Sequence, residues 1–194
     1  MRRTAFVIFF LALFCSCSKS AEAPAQFKVR FETSKGPFVL EIHRQWAPNG
    51  VDRFYELIQS GYYDEARFFR VVPNFVVQWG IHKDPKLSQE WRQKPIKDDS
   101  VKQSNREGYI TYAKSGPNTR TTQLFINLAD NSSSLDSTGF APFGRVIEGM
   151  NVVQNLYSGY GQTPQQNLIQ TQGNAYLESK FPKLDYIKSA KVVE

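Results

Sequence analysis

The sequence predicts a mainly β protein, a closed antiparallel barrel of about eight strands capped by two helices. Three observations lead there. Short runs of alternating apolar and polar residues recur along the chain, as at 27–33 (FKVRFET) and 108–113 (GYITYA). Gly, Pro and Asn punctuate the runs, so the segments between them are turns and loops. Sustained helical spacing of apolar residues is found in two substantial stretches, 47–60 and 148–157.

The elements follow in order. The run 27–33, the turn Ser34-Lys35-Gly36 and the run 37–42 read as a hairpin. Ala47-Pro48-Asn49 opens a helix in which Val51, Phe54, Tyr55 and Ile58 share a face, and Gly61 stops it. The stretch 67–78 holds two short strands broken by Pro73-Asn74. The segment 82–104 is polar and contains proline, and reads as a long surface loop with a helical turn near Trp91. Strands are expected at 108–113, 123–128 and 143–146, with loops at 114–120 and 130–134 between them. In the second helix, 148–157, Met150, Val153 and Leu156 form the apolar face. A Gly/Gln-rich loop at 159–173, a short helix at 174–180 and a last strand at 184–193 complete the chain.

Composition narrows the function classes. With 194 residues, 41% hydrophobic and 22% charged, the chain suits one ordinary globular domain. The net charge of +6 falls to +4 without Arg2 and Arg3, and it is spread along the chain, so nucleic acid is not an expected partner. His43 and His82 stand apart from any cluster with ligand spacing, so no metal is expected. Nucleotide-binding loops and G-x-S-x-G elbows are absent, and no cofactor is expected. Arg120 and Lys114 read as solvated surface charge, the alternative being that they steer acidic peptides, and Asp98-Asp99 and Asp130 as loop solvation and turn chemistry.

The N-terminus has the layout of a secretory signal peptide. Met1-Arg2-Arg3 is charged, 5–14 (AFVIFFLALF) is apolar, and Cys15-Ser16-Cys17 follows. The apolar run is shorter than the ~20 residues a spanning helix needs. The sequence LFCSC resembles a bacterial lipobox, with Phe14 where Leu is usual. The resemblance implies lipidation of Cys17, because the residue before it, Ser16, is small. The chain then divides into a signal peptide with lipobox (1–16), a flexible tether (17–26) and one domain (27–194). The expected location is the bacterial cell envelope, as a membrane-anchored lipoprotein facing the periplasm, the alternative being a soluble secreted protein. Both cysteines lie in the targeting segment, so no disulfide staples the domain.

Two stretches carry the chemistry. In 68–80 (FFRVVPNFVVQWG) one fixed cation, Arg70, stands in an apolar run, with Phe75 and Val76 after a proline and Gln78 eight residues on. In 116–126 (GPNTRTTQLFI) Gln123 and Phe125 repeat the pairing of amide and ring. The two are expected to face each other across a shallow apolar pocket with Arg70 at its lip. Such a site holds no nucleophile and suits a reaction that breaks no covalent bond.

These residues resemble a known family. FFRVVPNFVVQ is similar to the central motif of the cyclophilins, the cyclosporin-binding peptidyl-prolyl isomerases. GPNTRTTQLFINL resembles their second motif, and LDSTGFAPFGRVIEGMNVV their third. The likeness runs from about residue 27 to 194, and its closing stretch resembles a bacterial, secreted branch. It implies peptidyl-prolyl cis-trans isomerisation assisting the folding of exported proteins, the alternative being a non-catalytic module that binds Pro-containing segments. Arg70, Phe75 and Gln78 match the family's catalytic residues. Val76 (in place of the usual Met), Ala113, Lys114 (in place of Asn), Gln123, Phe125, Leu135 and Phe140 (about where many members have His) match substrate-binding positions. Ser134 stands where many eukaryotic members carry a Trp, and Trp79 where the family often has Gly. The implied partners are proline-containing peptides and unfolded exported proteins, with the protein a monomer.

Overall fold

The computed structural model describes residues 22–194. The expected signal peptide, Cys17 and the start of the tether lie outside the described residues. Of the remaining tether, Ala23 is buried and its N–H donates to Asp52 Oδ1 at 3.0 Å.

Eight strands form one antiparallel sheet: β1 (Gln26–Thr33), β2 (Gly36–His43), β3 (Arg70–Val72), β4 (Val76–Trp79), β5 (Tyr109–Tyr112), β6 (Leu124–Asn127), β7 (Gly144–Glu148) and β8 (Ile187–Val193). Their order is β3-β4-β6-β5-β7-β2-β1-β8. The sheet curls around its apolar face. The segments leading into its two edge strands meet in an isolated bridge between Arg67 and Tyr186. In the first hairpin Phe31 lies opposite Phe38, and their rings stack at 4.8 Å. Trp79, fully buried, meets Phe31, Phe68 and Tyr63 edge-on. Where a glycine is common, this chain therefore packs a large ring into the centre of its core.

Helix α1 (Pro48–Gln59) turns Val51, Phe54, Leu57 and Ile58 into the main core. Its N-cap, Ala47, has no side-chain oxygen to offer. Asp99 supplies the missing acceptors, taking the N–H groups of Asn49 and Gly50 at 3.0 and 2.9 Å. Arg120 pairs with Asp99 at 3.1 Å and with Asp98 at 3.0 Å, and is only 3% exposed. The reading of Arg120 and the two aspartates as solvated charge is thus corrected: they form a buried clip between the 97–99 segment, the loop before β6 and α1.

Six helices are present among the described residues, against two expected as caps. Pro85–Arg92 in the expected 82–104 loop is α2, capped by Asp84, whose side chain accepts the Lys86 N–H at 2.8 Å. A single turn, α3 (Ser132–Leu135), lies in the expected 130–134 loop. The expected helix at 148–157 is shorter, α4 (Met150–Gln154), because β7 runs to Glu148 and Gly149 turns the chain at φ +76°. The expected loop at 159–173 contains α5 (Gln166–Gln172). The short helix at 174–180 is found as α6 (Asn174–Lys180). No helix among the described residues is long and apolar enough to cross a membrane.

Candidate active site

The strand register assembles the site. Arg70 lies opposite Gln78 across β3–β4, Gln78 opposite Phe125 across β4–β6, and Phe125 opposite Thr111 across β6–β5. Directly paired residues share a face of the sheet, so the cation, the amide and the ring stand in one row. The β3–β4 turn has Asn74 at φ +60°, a left-handed conformation that Asn tolerates, and it delivers Phe75 beside the row.

A groove of about 520 Å³ opens over this row, and all ten residues assigned to the site from sequence border it. Its polar flank is a relay of amides. Arg70 Nη1 donates to Gln78 Oε1 at 3.1 Å, and Gln78 Nε2 donates to Gln123 Oε1 at 2.9 Å. Arg70 Nη2 reaches Gln162 Oε1 at 3.3 Å, and the guanidinium carbon lies 5.4 Å from the Phe75 ring centre. Arg70 has no carboxylate partner among the described residues. Burial lowers its pKa from the ordinary value, yet an arginine stays protonated at neutral pH.

The apolar flank is Phe75, Val76, Phe125, Leu135 and Phe140. Phe125 meets Phe140 edge-on at 5.8 Å. Ala113 and Lys114 border the groove just after β5, and Lys114 Nζ lies 5.3 Å from the Phe140 ring centre and 3.4 Å from Asp98 Oδ2. The groove is therefore more polar than the shallow apolar pocket expected from sequence, with Arg70 beside one ring and Lys114 beside another.

A buried amide network fixes the backbone at two of the rings. Asn131 Nδ2 donates to the Phe75 carbonyl and to Asn127 Oδ1, both at 2.9 Å. Asn105 Nδ2 donates to the Phe140 carbonyl and to Asp136 Oδ1, both at 2.8 Å. Phe75 and Phe140 are thus set by backbone contacts, and Asp136 adjoins Leu135. Sequence reasoning missed these asparagines, because in loop-like sequence an Asn reads as turn chemistry. It also missed Arg92, Gln162, Gln166 and Gln170, which come from α2, from α5 and from the chain before α5. Nothing in their spacing pointed to a groove in the sheet.

Comparison with known proteins decides the family. The model for the cyclophilin type peptidyl-prolyl cis-trans isomerase/CLD family matches residues 28–174. The chain belongs to the cyclophilin-type peptidyl-prolyl cis-trans isomerase family. This cyclophilin is 33% identical over 142 residues to a peptidyl-prolyl cis-trans isomerase of Acinetobacter baylyi, covering 71% of this chain and 75% of that one. It is 31% identical over 183 residues to peptidyl-prolyl cis-trans isomerase A of Dickeya dadantii, covering 91% and 90% of the two chains. A solved cyclophilin-type isomerase of Cryptosporidium parvum has the same fold, with a TM-score of 0.62, 20% identity and coverage of 87% of this chain and 98% of that one. The same protein solved in the presence of the dipeptide Ala-Pro gives a TM-score of 0.63 at 22% identity, covering 86% and 99%.

Proposed function

We propose that the groove binds an Xaa-Pro segment of an unfolded exported protein and accelerates rotation about its prolyl bond through Arg70. Amide resonance sets the barrier to rotation at roughly 18–20 kcal/mol. For Xaa-Pro the cis form lies only about 0.5–1 kcal/mol above trans, yet exchange takes tens of seconds or more. The catalyst must therefore favour the twisted form, in which resonance is lost and the prolyl nitrogen regains a lone pair. A guanidinium donating to that nitrogen binds the twisted form better than the planar one, which is what lowers a barrier. Each 1.36 kcal/mol of such preference is tenfold in rate.

The observation that carries this reading is the state of Arg70: a guanidinium at the groove, held by amides and free of any carboxylate among the described residues. An ion pair would occupy the donors the reaction needs. Gln78 orients the guanidinium, while Phe75, Val76, Phe125, Leu135 and Phe140 enclose the prolyl ring, which has no N–H to satisfy. The backbone at Ala113 and Lys114, with Gln123, borders the peptide. A structural neighbour was solved in the presence of Ala-Pro, a ligand of the required kind. Cis/trans exchange of short Xaa-Pro peptides, followed by NMR, tests the proposal. Accelerated exchange is expected, and peptide binding without acceleration would point instead to a non-catalytic binding module.

We further infer that the domain works as a monomer on a lipid anchor in the bacterial envelope, facing the periplasm, with its sheet closed into a barrel through the Arg67–Tyr186 seam. The support for the anchor is the charged, apolar and small-residue order of the first seventeen positions. Cys17→Ser is expected to move the protein from the membrane fraction to the soluble fraction. Retention of the variant in membranes would rule out anchoring through that cysteine.

A further inference from the structure

Three cations border the groove, Arg70, Lys114 and Arg92, and no carboxylate does. Their situations differ. Lys114 is matched by Asp98, 3.4 Å away, and Arg70 is held by two glutamines. Arg92 is exposed in the last turn of α2 and makes no ion pair or side-chain hydrogen bond among the described residues. The residues three and four places before it on α2 are Gln89 and Ser88, so its own helix face offers no carboxylate.

The surroundings of Arg92 extend the pattern. Helix α5 packs against α2 and places Gln166 and Gln170, one turn apart, on the groove. Ser115, Thr119 and Thr121 border it from the loop before β6. The Thr119 hydroxyl is already used within that loop, donating to the Gly116 carbonyl at 2.8 Å. What α2 and α5 present to a bound peptide is thus one unpaired guanidinium and two carboxamides. The prolyl ring's apolar wall comes from other elements, β4, β6, α3 and their adjoining turns.

We propose that the α2–α5 side of the groove is a subsite for an acidic side chain close to the proline, and that Arg92 sets the preference. The inference rests on the prolyl-peptide reading of the same groove. A guanidinium takes a carboxylate in a bidentate grip, and a glutamine amide can donate to the same oxygens. An arginine in the last turn of a helix also complements the helix dipole. That role affects how firmly α2 holds, but it does not distinguish one peptide from another.

The test uses peptide pairs carrying Glu or Gln at each of the two positions before and after the proline. Binding and exchange are measured by NMR, with the full-length protein and with Arg92→Gln, at low and high salt. The protein is expected to prefer Glu at one position by about three- to fivefold, the scale of a solvent-accessible ion pair. The preference should shrink with salt and fall to near one in Arg92→Gln. Equal binding of Glu and Gln peptides at all four positions would overturn the proposal, as would a preference that survives in Arg92→Gln. Exchange is a separate readout: if no peptide exchanges faster while the Glu preference persists, the isomerase reading fails and the acidic subsite stands.

Discussion

Gln78 is 4% exposed and joins Arg70 to Gln123 by accepting from one and donating to the other. A buried amide in that position restricts where the guanidinium points. Gln78→Ala removes an acceptor from a charged donor, an interaction worth roughly 1.5–3 kcal/mol. The expected result is a fall in kcat/KM of about tenfold or more, with the fold retained by far-UV circular dichroism. A variant as active as the parent would show that Gln78 does not orient the arginine. Part of this relay was legible in the sequence. Arg70 and Gln78 lie eight residues apart across Pro73-Asn74, and a tight turn there makes them cross-strand partners. Gln162 was not legible, because its place beside Arg70 depends on the path of a long connection. Trp79 could be read only as a departure from the family pattern until its three edge-on ring contacts were seen.

At the level of elements, strands were easier to read than helices. A strand in this sheet announces itself by alternation, as β1 does, whereas α2 buries only Ser88 and α5 only Ile169. Helices with so little apolar face carry a weak signal, for α2 no more than a helical turn near Trp91, and their glutamines, serines and lysines resemble loop composition. Trp91 packs α2 against the main core, whereas α5 and α6 are held by a satellite core of Phe69, Ile81, Ile169, Leu177 and Leu184. Gly173 is the joint of this unit. It sits between α5 and α6 at φ +60° and ψ −147°, a region open essentially to glycine alone, and a side chain there would run into the Lys83 carbonyl. Asn174 N–H donates to the same carbonyl at 3.2 Å, tying the joint to the chain just before α2. Gly173→Ala is expected to cost about 1–3 kcal/mol in urea unfolding and to weaken peptide binding, because α5 borders the groove. An unfolding midpoint equal to the parent's would show that the joint tolerates a side chain.

On the scale of the whole molecule, an eight-stranded antiparallel sheet places the catalytic candidates on β3, β4 and the turn between them, beside Phe125 on β6, and these strands adjoin at one end of the strand order. The number and sense of the strands followed from alternation and turns. Their order did not, because β4 pairs with β6 and β7 with β2 across long stretches of sequence. The loops around the groove are tied down from outside it. The Arg120 clip joins the 97–99 segment to α1, and the asparagine network holds the Phe75 and Phe140 backbones. This gives a rigid frame around one guanidinium that has no carboxylate partner among the described residues, and the account stands on that group. The most direct measurement is NMR exchange of an Xaa-Pro peptide with the parent protein and with Arg70→Ala, each folded and each titrated for peptide binding. The account predicts fast exchange in the parent and its loss by about two orders of magnitude or more in the variant, while the variant still binds peptide through its apolar wall. Exchange of equal speed in the two proteins would contradict it.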